Sequence, residues 1–104
     1  MSEKDKKEYE GSGAFLNYLQ GVINDRKKNP KEKSYVNKMF KKGINKIAQK
    51  VGEEAVELVI EAKDDDKALF VGEAADLLFH FTLLIEAKNV QLDDIIKELE
   101  SRHK

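Results

Sequence analysis

The stretch Gly72-Glu73-Ala74-Ala75-Asp76-Leu77-Leu78-Phe79-His80-Phe81-Thr82-Leu83-Leu84-Ile85 decides how this chain folds. At about 100° per residue its apolar side chains fall on every side of a helix axis, and a helix that is apolar all round is a buried one. Glu73, Asp76 and His80 lie along one stripe of it. Two carboxylates one turn apart on such a helix repel each other and lose hydration. An ionised carboxylate buried without a partner is strongly unfavourable. These acids must therefore be neutralised by a proton, by a base or by a metal.

Reading outward from that helix, the fourth of the chain, it spans about Lys67 to Lys88 and is preceded by Asp64-Asp65-Asp66, acids that suit a helix start because the dipole favours them there. Upstream, Ile44, Ile47, Ala48, Val51, Ala55, Leu58, Val59 and Ala62 recur at three- and four-residue steps and form the apolar stripe of a third helix. Gly52, within it, is expected to permit close helix packing. A first helix is predicted from about Ala14 to Lys28, ended by Asn29-Pro30-Lys31. Ser34 can cap a short second helix that carries Tyr35, Met39 and Phe40 and stops near Gly43. Beyond a break at Asn89, Leu92, Ile95, Ile96 and Leu99 form one side of a last helix. No stretch alternates in the manner of a β-strand. The expected fold is all-α, with four to five helices and an antiparallel hairpin that forms a bundle. Residues 1–13 read as a mobile polar tail and 14–104 as one domain.

Composition narrows the chemistry. The chain has 104 residues, the size of a single domain, and so can bury only a modest core. Its fourth helix carries more apolar surface than its short neighbours can cover. A homodimer is therefore expected, with the third and fourth helices at the interface. The 19 basic and 20 acidic residues nearly cancel, so no general pull toward nucleic acid or a membrane surface is expected. There is no cysteine, which leaves only oxygen and imidazole as metal ligands. The charged N-terminus lacks an apolar signal core, and no apolar run is expected to reach transmembrane length. A cytoplasmic protein follows as the default.

Lys46, Lys50, Glu53, Glu54, Glu57 and Glu61 share the charged side of the third helix. On that helix alone the simple reading is a solvated face with lysine–glutamate support. The fourth helix changes it. With a tight turn near Asp65, an antiparallel hairpin sets Glu57 level with Glu73, and Glu53 nearly level with Asp76, at about 1.5 Å of rise per residue. Helix axes about 8–10 Å apart let such side chains converge. Convergent carboxylates with room for water suit Mg²⁺, with Mn²⁺ as a substitute. The acidic triplet is too short for a calcium loop, and no glycine-rich phosphate cradle is present.

The pattern Glu53-Glu54-x-x-Glu57 followed by Glu73-x-x-Asp76 resembles the metal motif of the all-α nucleoside triphosphate pyrophosphohydrolases, which include MazG-type, dimeric dUTPase-like and phosphoribosyl-ATP pyrophosphohydrolases. The flanking residues narrow the resemblance. Lys46-Ile47-x-x-Lys50-Val51-Gly52-Glu53-Glu54-Ala55-Val56-Glu57 and Glu73-Ala74-Ala75-Asp76-Leu77-Leu78-Phe79-His80 look like the phosphoribosyl-ATP pyrophosphohydrolase family. So do Val22-Ile23-x-x-Arg26-Lys27, Ser34-Tyr35 and Leu99-x-x-Arg102-His103. Phe79 stands where tyrosine is common, and Val36 where threonine often follows Ser-Tyr. Neither position is a candidate ligand.

The resemblance implies the second step of histidine biosynthesis, in which phosphoribosyl-ATP and water give phosphoribosyl-AMP and pyrophosphate. It implies Glu54, Glu57, Glu73 and Asp76 as metal ligands, with Glu53 either a further ligand or the base that orients water. Lys46, Lys50 and Arg26 are candidates for phosphate contact; their alternative roles are salt-bridge lysines and a surface arginine. His80 and Tyr35 are candidates for support around the metal and substrate, against a buried structural histidine and a core-edge tyrosine. In many organisms this domain is fused to a cyclohydrolase that uses cysteine-bound zinc; a cysteine-free chain looks like a stand-alone form. The alternatives are a MazG-type house-cleaning hydrolase of other nucleoside triphosphates and, from another class, a non-catalytic helical dimerisation module.

Overall fold

The computed structural model describes residues 13–103, and these form five helices. They are α1 (Ala14–Lys28), α2 (Tyr35–Lys42), α3 (Ile44–Glu61), α4 (Lys67–Ala87) and α5 (Leu92–Arg102). All regular elements among the described residues are helical. The proposed tail lies largely outside these residues.

The helix ends follow local chemistry. Ser34 Oγ accepts from the Asn37 backbone N–H at the start of α2, and Asp66 Oδ1 accepts from the Leu69 N–H at the start of α4. Gln91 and Asp94 form a reciprocal capping box on α5. Gly43 turns the corner between α2 and α3 at φ 94°, a conformation that L side chains rarely adopt. Asn89, at φ 58°, takes the left-handed position just after α4. Its side-chain oxygen accepts from Lys27 Nζ at 2.8 Å, which ties that turn back to α1.

The core is assembled at one end of the molecule. Ile23 of α1, Val36 and Met39 of α2, Ile47 of α3 and Leu83 of α4 form its buried cluster. Leu19, Phe40, Phe79, Leu84 and Ala87 pack around them. Each of the five buried side chains of the cluster contributes about 1.5–3 kcal/mol through burial. The other end is a bare hairpin. Helices α3 and α4 make the most extensive helix–helix contact, but beyond the reach of α1 and α2 they cover only each other.

The fourth helix is thus buried unevenly. His80, Thr82, Leu83, Ile85 and Glu86 are buried, whereas Leu69, Phe70, Val71 and Leu78 are exposed. Within one chain the all-round apolar pattern is satisfied only in the C-terminal half. The expectation that no apolar run reaches membrane length also needs correction, because α4 is long and apolar enough to cross one by length and composition alone. Half of it forms the core of a folded unit, and Glu73, Asp76 and Glu86 interrupt it. Gly52 does not mediate close packing: a Cβ added there would meet nothing within 4 Å. It sits on the solvent side of α3, where its smallness serves no contact within this chain.

Candidate metal centre

Three acids converge where α3 and α4 face each other. Glu54, Glu57 and Glu73 each offer a carboxylate oxygen, and these oxygens lie within 4.8 Å of one another. Glu54 is buried, Glu73 half-buried and Glu57 exposed. The hairpin therefore brings together three of the five acids singled out in the sequence.

Glu53 and Asp76 lie outside that group. Glu53 is exposed and accepts from Gln49 Nε2 at 3.3 Å. The reason is rotational. Measured round the helix from Glu53, Glu57 lies about 40° and Glu54 about 100° away, on the side of the buried Ile47. Glu54 therefore turns into the seam and Glu53 turns out of it. On α4, Glu73, Leu77, His80 and Leu84 form the line that faces the partner helices. Asp76 falls about 60° to one side of Glu73 and is exposed at the seam's edge.

The electrostatics of the cluster are unbalanced. Lys50 Nζ lies 3.3 Å from Glu54 Oε1, one turn away on the same helix. Burial pushes the Glu54 carboxyl up, but the bond from Lys50 and the contact with Glu73 outweigh it and hold the group below its ordinary range. The same pairing raises Lys50. Glu73 has no such cation. The adjoining Glu57 carboxylate, burial and Glu54 together push it up to about 7. Glu54 Oε2 and Glu73 Oε2 are buried with no hydrogen-bond partner, as is Glu61 Oε2 one turn beyond Glu57. Buried polar atoms are normally paired, so each orphan asks for an explanation. Those of Glu54 and Glu73 are hard oxygen donors with spare lone pairs, the kind of donor a divalent cation such as Mg²⁺ takes.

The surrounding groups are ordered. His80 is buried, with Nδ1 2.8 Å from the Asp76 carbonyl oxygen and Nε2 2.7 Å from the Tyr35 hydroxyl. Tyr35, Phe79 and His80 pack ring against ring, the histidine edge-on to both others. Lys46 is half-buried, one turn before Lys50. Arg26 belongs to α1, where its guanidinium lies 3.7 Å from Asp25 and its carbonyl accepts from Asn37.

A second polar centre, which the sequence reading passed over, occupies the opposite end of α4. Glu86 is 2% exposed. Gln20 Nε2 donates to its Oε2 at 3.0 Å, Asn24 Nδ2 donates to its Oε1, and Lys27 Nζ lies 4.0 Å from Oε1. Gln20 also accepts from the Leu92 N–H and donates to the Val90 carbonyl, pinning the start of α5. Every oxygen of Glu86 is used. Its signal in the sequence was a glutamate on the apolar helix with Gln20, Asn24 and Lys27 at helical spacing on α1.

Comparison with known proteins agrees with this geometry. A family model described as phosphoribosyl-ATP pyrophosphohydrolase matches residues 16–103. The chain is 48% identical over 89 residues to the phosphoribosyl-ATP pyrophosphatase of Clostridium acetobutylicum, covering 86% of this chain and 81% of that protein. It is 45% identical over 92 residues to the phosphoribosyl-ATP pyrophosphatase of Methanosarcina acetivorans, covering 86% of this chain and 88% of the other. It is also 51% identical over 90 residues to the histidine biosynthesis bifunctional protein HisIE of Caldanaerobacter subterraneus subsp. tengcongensis, where the match spans 86% of this chain but 44% of the longer protein. With an all-helical fold, a hairpin of convergent acids and a match along nearly its whole length, the chain belongs to the phosphoribosyl-ATP pyrophosphohydrolase family.

Proposed function

We propose that this chain hydrolyses the α–β phosphoanhydride of phosphoribosyl-ATP to phosphoribosyl-AMP and pyrophosphate, the second step of histidine biosynthesis, with Mg²⁺ held by its hairpin acids. One observation carries the metal: two buried carboxylate oxygens, of Glu54 and Glu73, lack any partner while a third carboxylate crowds them. The names and high identity of the relatives support the substrate. Mn²⁺ would serve the same donors.

Glu54, Glu57 and Glu73 form the centre of the ligand set. Asp76, exposed at the edge of the same seam, would be the fourth donor to the cation. When bound, the cation offsets charge on the leaving pyrophosphate and lowers the pKa of a coordinated water. Glu53, exposed on the turn next to Glu54, would be the carboxylate available to act as a base for the attacking water. Lys50 already holds Glu54 ionised and extends toward solvent from the same turn. With Lys46 it supplies mobile positive charge for the phosphates. Arg26 is the weaker phosphate candidate, since Asp25 already engages it.

We further infer a homodimer in the cytoplasm. Val56 and Val59 on α3 are 60% and 57% exposed, and Leu69 and Val71 on α4 are 55% and 53% exposed. An apolar two-helix hairpin is half of a four-helix bundle. A second copy related by a two-fold axis presents the same apolar surface and closes it. Sedimentation of the wild type and of Val59→Asp with Leu69→Asp tests this: the pair of substitutions should convert a dimer into a monomer. A wild-type monomer at micromolar concentration would contradict it.

The substrate is tested by pyrophosphate release from phosphoribosyl-ATP and from a panel of NTPs and dNTPs, with and without Mg²⁺. Preference for phosphoribosyl-ATP, dependent on the metal, is expected. Preference for plain NTPs would move the chain to a house-cleaning role.

A further inference from the structure

The basic residues are not spread evenly along the chain. Eight of the 19 fall between Arg26 and Lys42, where Glu32 is the one acid, although the whole chain is nearly neutral. Part of this excess has a local cause. Arg26, Lys27 and Lys28 close α1, and Lys41 and Lys42 close α2, at helix ends that favour cations. Lys31 and Lys38 have no such cause. Lys31 lies in the connection between the two helices, and Lys38 stands in the first half of α2, where the dipole gives a cation no support. Among the described residues, Lys31, Lys38 and Lys41 form no ion pair.

These lysines line one cleft, with Lys27 beside them and Glu32 as the single carboxylate; Pro30 and Phe40 supply its apolar surface. Its volume is about 520 Å³, within the range of small-molecule sites. Its walls are held in place. Asn37, which also lines the cleft, accepts from the Lys31 backbone N–H at 2.7 Å and donates to the Arg26 carbonyl at 2.6 Å, so the connection is tied to both helices. Lys27 Nζ is fixed by the Glu86 carbonyl at 3.0 Å and Asn89 Oδ1 at 2.8 Å. Three unpaired ammonium groups against one carboxylate, in a concave surface, attract an anion. Lysine is a point charge that suits phosphate, and among the described lining residues there is no arginine to fork a carboxylate. The apolar surface is left for a flat or apolar body joined to that phosphate. None of the five acids discussed above lines the cleft. Round α2, Asn37 and Lys41 lie about 160° and 120° from Tyr35, the residue that meets His80.

We propose that this cleft is a second ligand site, separate from the acid centre, which takes a small organic phosphate: Lys31, Lys38 and Lys41 meet the phosphate, and Pro30 and Phe40 meet the body that carries it. The two sites have opposite demands. The hairpin acids call for a cation, and the α1–α2 cleft calls for an anion. The cleft does not depend on which nucleotide the acid centre hydrolyses.

The test is a titration of the full chain in EDTA with AMP, ribose 5-phosphate, inorganic phosphate and adenosine, followed by calorimetry and amide NMR shifts. Without a cation the carboxylates of Glu54, Glu57 and Glu73 repel phosphate, so the cleft is read by itself. AMP should bind with a Kd below about 1 mM, at least about tenfold tighter than inorganic phosphate or adenosine, and should shift the amides of residues 31–41. Ribose 5-phosphate matching AMP would assign the cleft to sugar phosphates, and weaker binding would assign it to nucleotides; either supports the proposal. Lys31→Ala with Lys38→Ala removes two exposed ammonium groups and should weaken AMP by about tenfold or more. The same variant should keep the wild-type melting temperature and stay within about twofold of wild type in kcat/KM for phosphoribosyl-ATP. Lys50→Met should bind AMP as the wild type does. Failure of AMP and ribose 5-phosphate to bind, equal binding of AMP and inorganic phosphate, or undiminished binding in the double variant would overturn the proposal. So would loss of binding in Lys50→Met, which would put the anion at the acid centre, or binding of heparin with none of AMP, which would make the lysines an open surface for a polyanion. Hydrolysis of a different nucleotide by the acid centre would change the substrate reading and leave each of these binding outcomes as decisive as before.

Discussion

Helix α4 carries one buried glutamate at its far end and one half-buried glutamate in its first third, and the two are treated in opposite ways. Glu86 meets the amides of Gln20 and Asn24 and the Lys27 ammonium, so both of its oxygens are engaged. Glu73 meets other carboxylates, and one of its oxygens has no partner at all. The same residue type on the same helix is a structural pin in one place and an open demand for positive charge in the other. Burial alone does not mark a functional acid. What marks Glu73 is an unpartnered buried oxygen in a group of converging carboxylates.

The largest expected effect that can break this comparison is on turnover. Glu54→Gln or Glu73→Gln should lower kcat/KM for phosphoribosyl-ATP by on the order of a thousandfold, about 4 kcal/mol of transition-state stabilisation. Glu86→Gln should stay within about threefold of wild type, read in the same pyrophosphate-release assay. Equal losses in all three variants would erase the distinction.

Stability should respond in the reverse order. Glu86→Ala strands Gln20, Asn24 and Lys27 and should cost about 3 kcal/mol by urea unfolding. Glu73→Gln in metal-free protein should be neutral or stabilising at pH 8, because it removes repulsion from Glu57 and Glu54. Destabilisation by Glu73→Gln comparable to that of Glu86→Ala would mean that Glu73 has a partner after all.

Dependence on pH sharpens the contrast further. Glu73 is raised to about 7, so the stability it contributes is fully present below its ordinary value of 4.5 and is lost as pH rises through about 7. Glu54 is held low, so its contribution is lost only as pH falls below the ordinary carboxylate range. Metal-free protein should therefore show a melting temperature that declines between about pH 5 and pH 8, and Glu73→Gln should flatten that slope. A slope unchanged in the variant would remove Glu73 as its cause. The smallest effect is expected at Lys50. Its replacement by methionine should reduce kcat/KM by about tenfold, since Lys50 is the ion-pair partner of Glu54 and a modest phosphate contact rather than a member of the acid cluster.

Much of this was legible in the chain. The apolar steps from Ile44 to Ala62 and the capping residues Ser34 and Asp66 mark the helices, because helix periodicity and end chemistry are local. The pairing of Glu57 with Glu73 follows from counting outward from the turn. What the count left open was rotation. Axial rise placed Glu53 near Asp76, but the direction of the core, set by Ile47 and Leu83 together, turns Glu54 inward and Glu53 out. The Glu86 network escaped because its partners lie about sixty residues away, on α1. The bare face of the hairpin was foreseen as an excess of apolar surface on α4, yet which half stays uncovered depends on how far α1 and α2 reach.

The most direct measurement is a Mg²⁺ titration followed by thermal melting, on wild type, Glu73→Gln and Glu86→Gln. At a hundredfold excess over Kd, binding to the folded state adds about 2.7 kcal/mol, roughly 10 °C for a domain of this size. Wild type and Glu86→Gln should both rise by such an amount, the latter from a lower start, and Glu73→Gln should not move. A wild type indifferent to Mg²⁺, or a Glu73→Gln protein that gains as much as wild type, would contradict the assignment of the unpartnered acids as a metal centre and favour an inert helical dimerisation module.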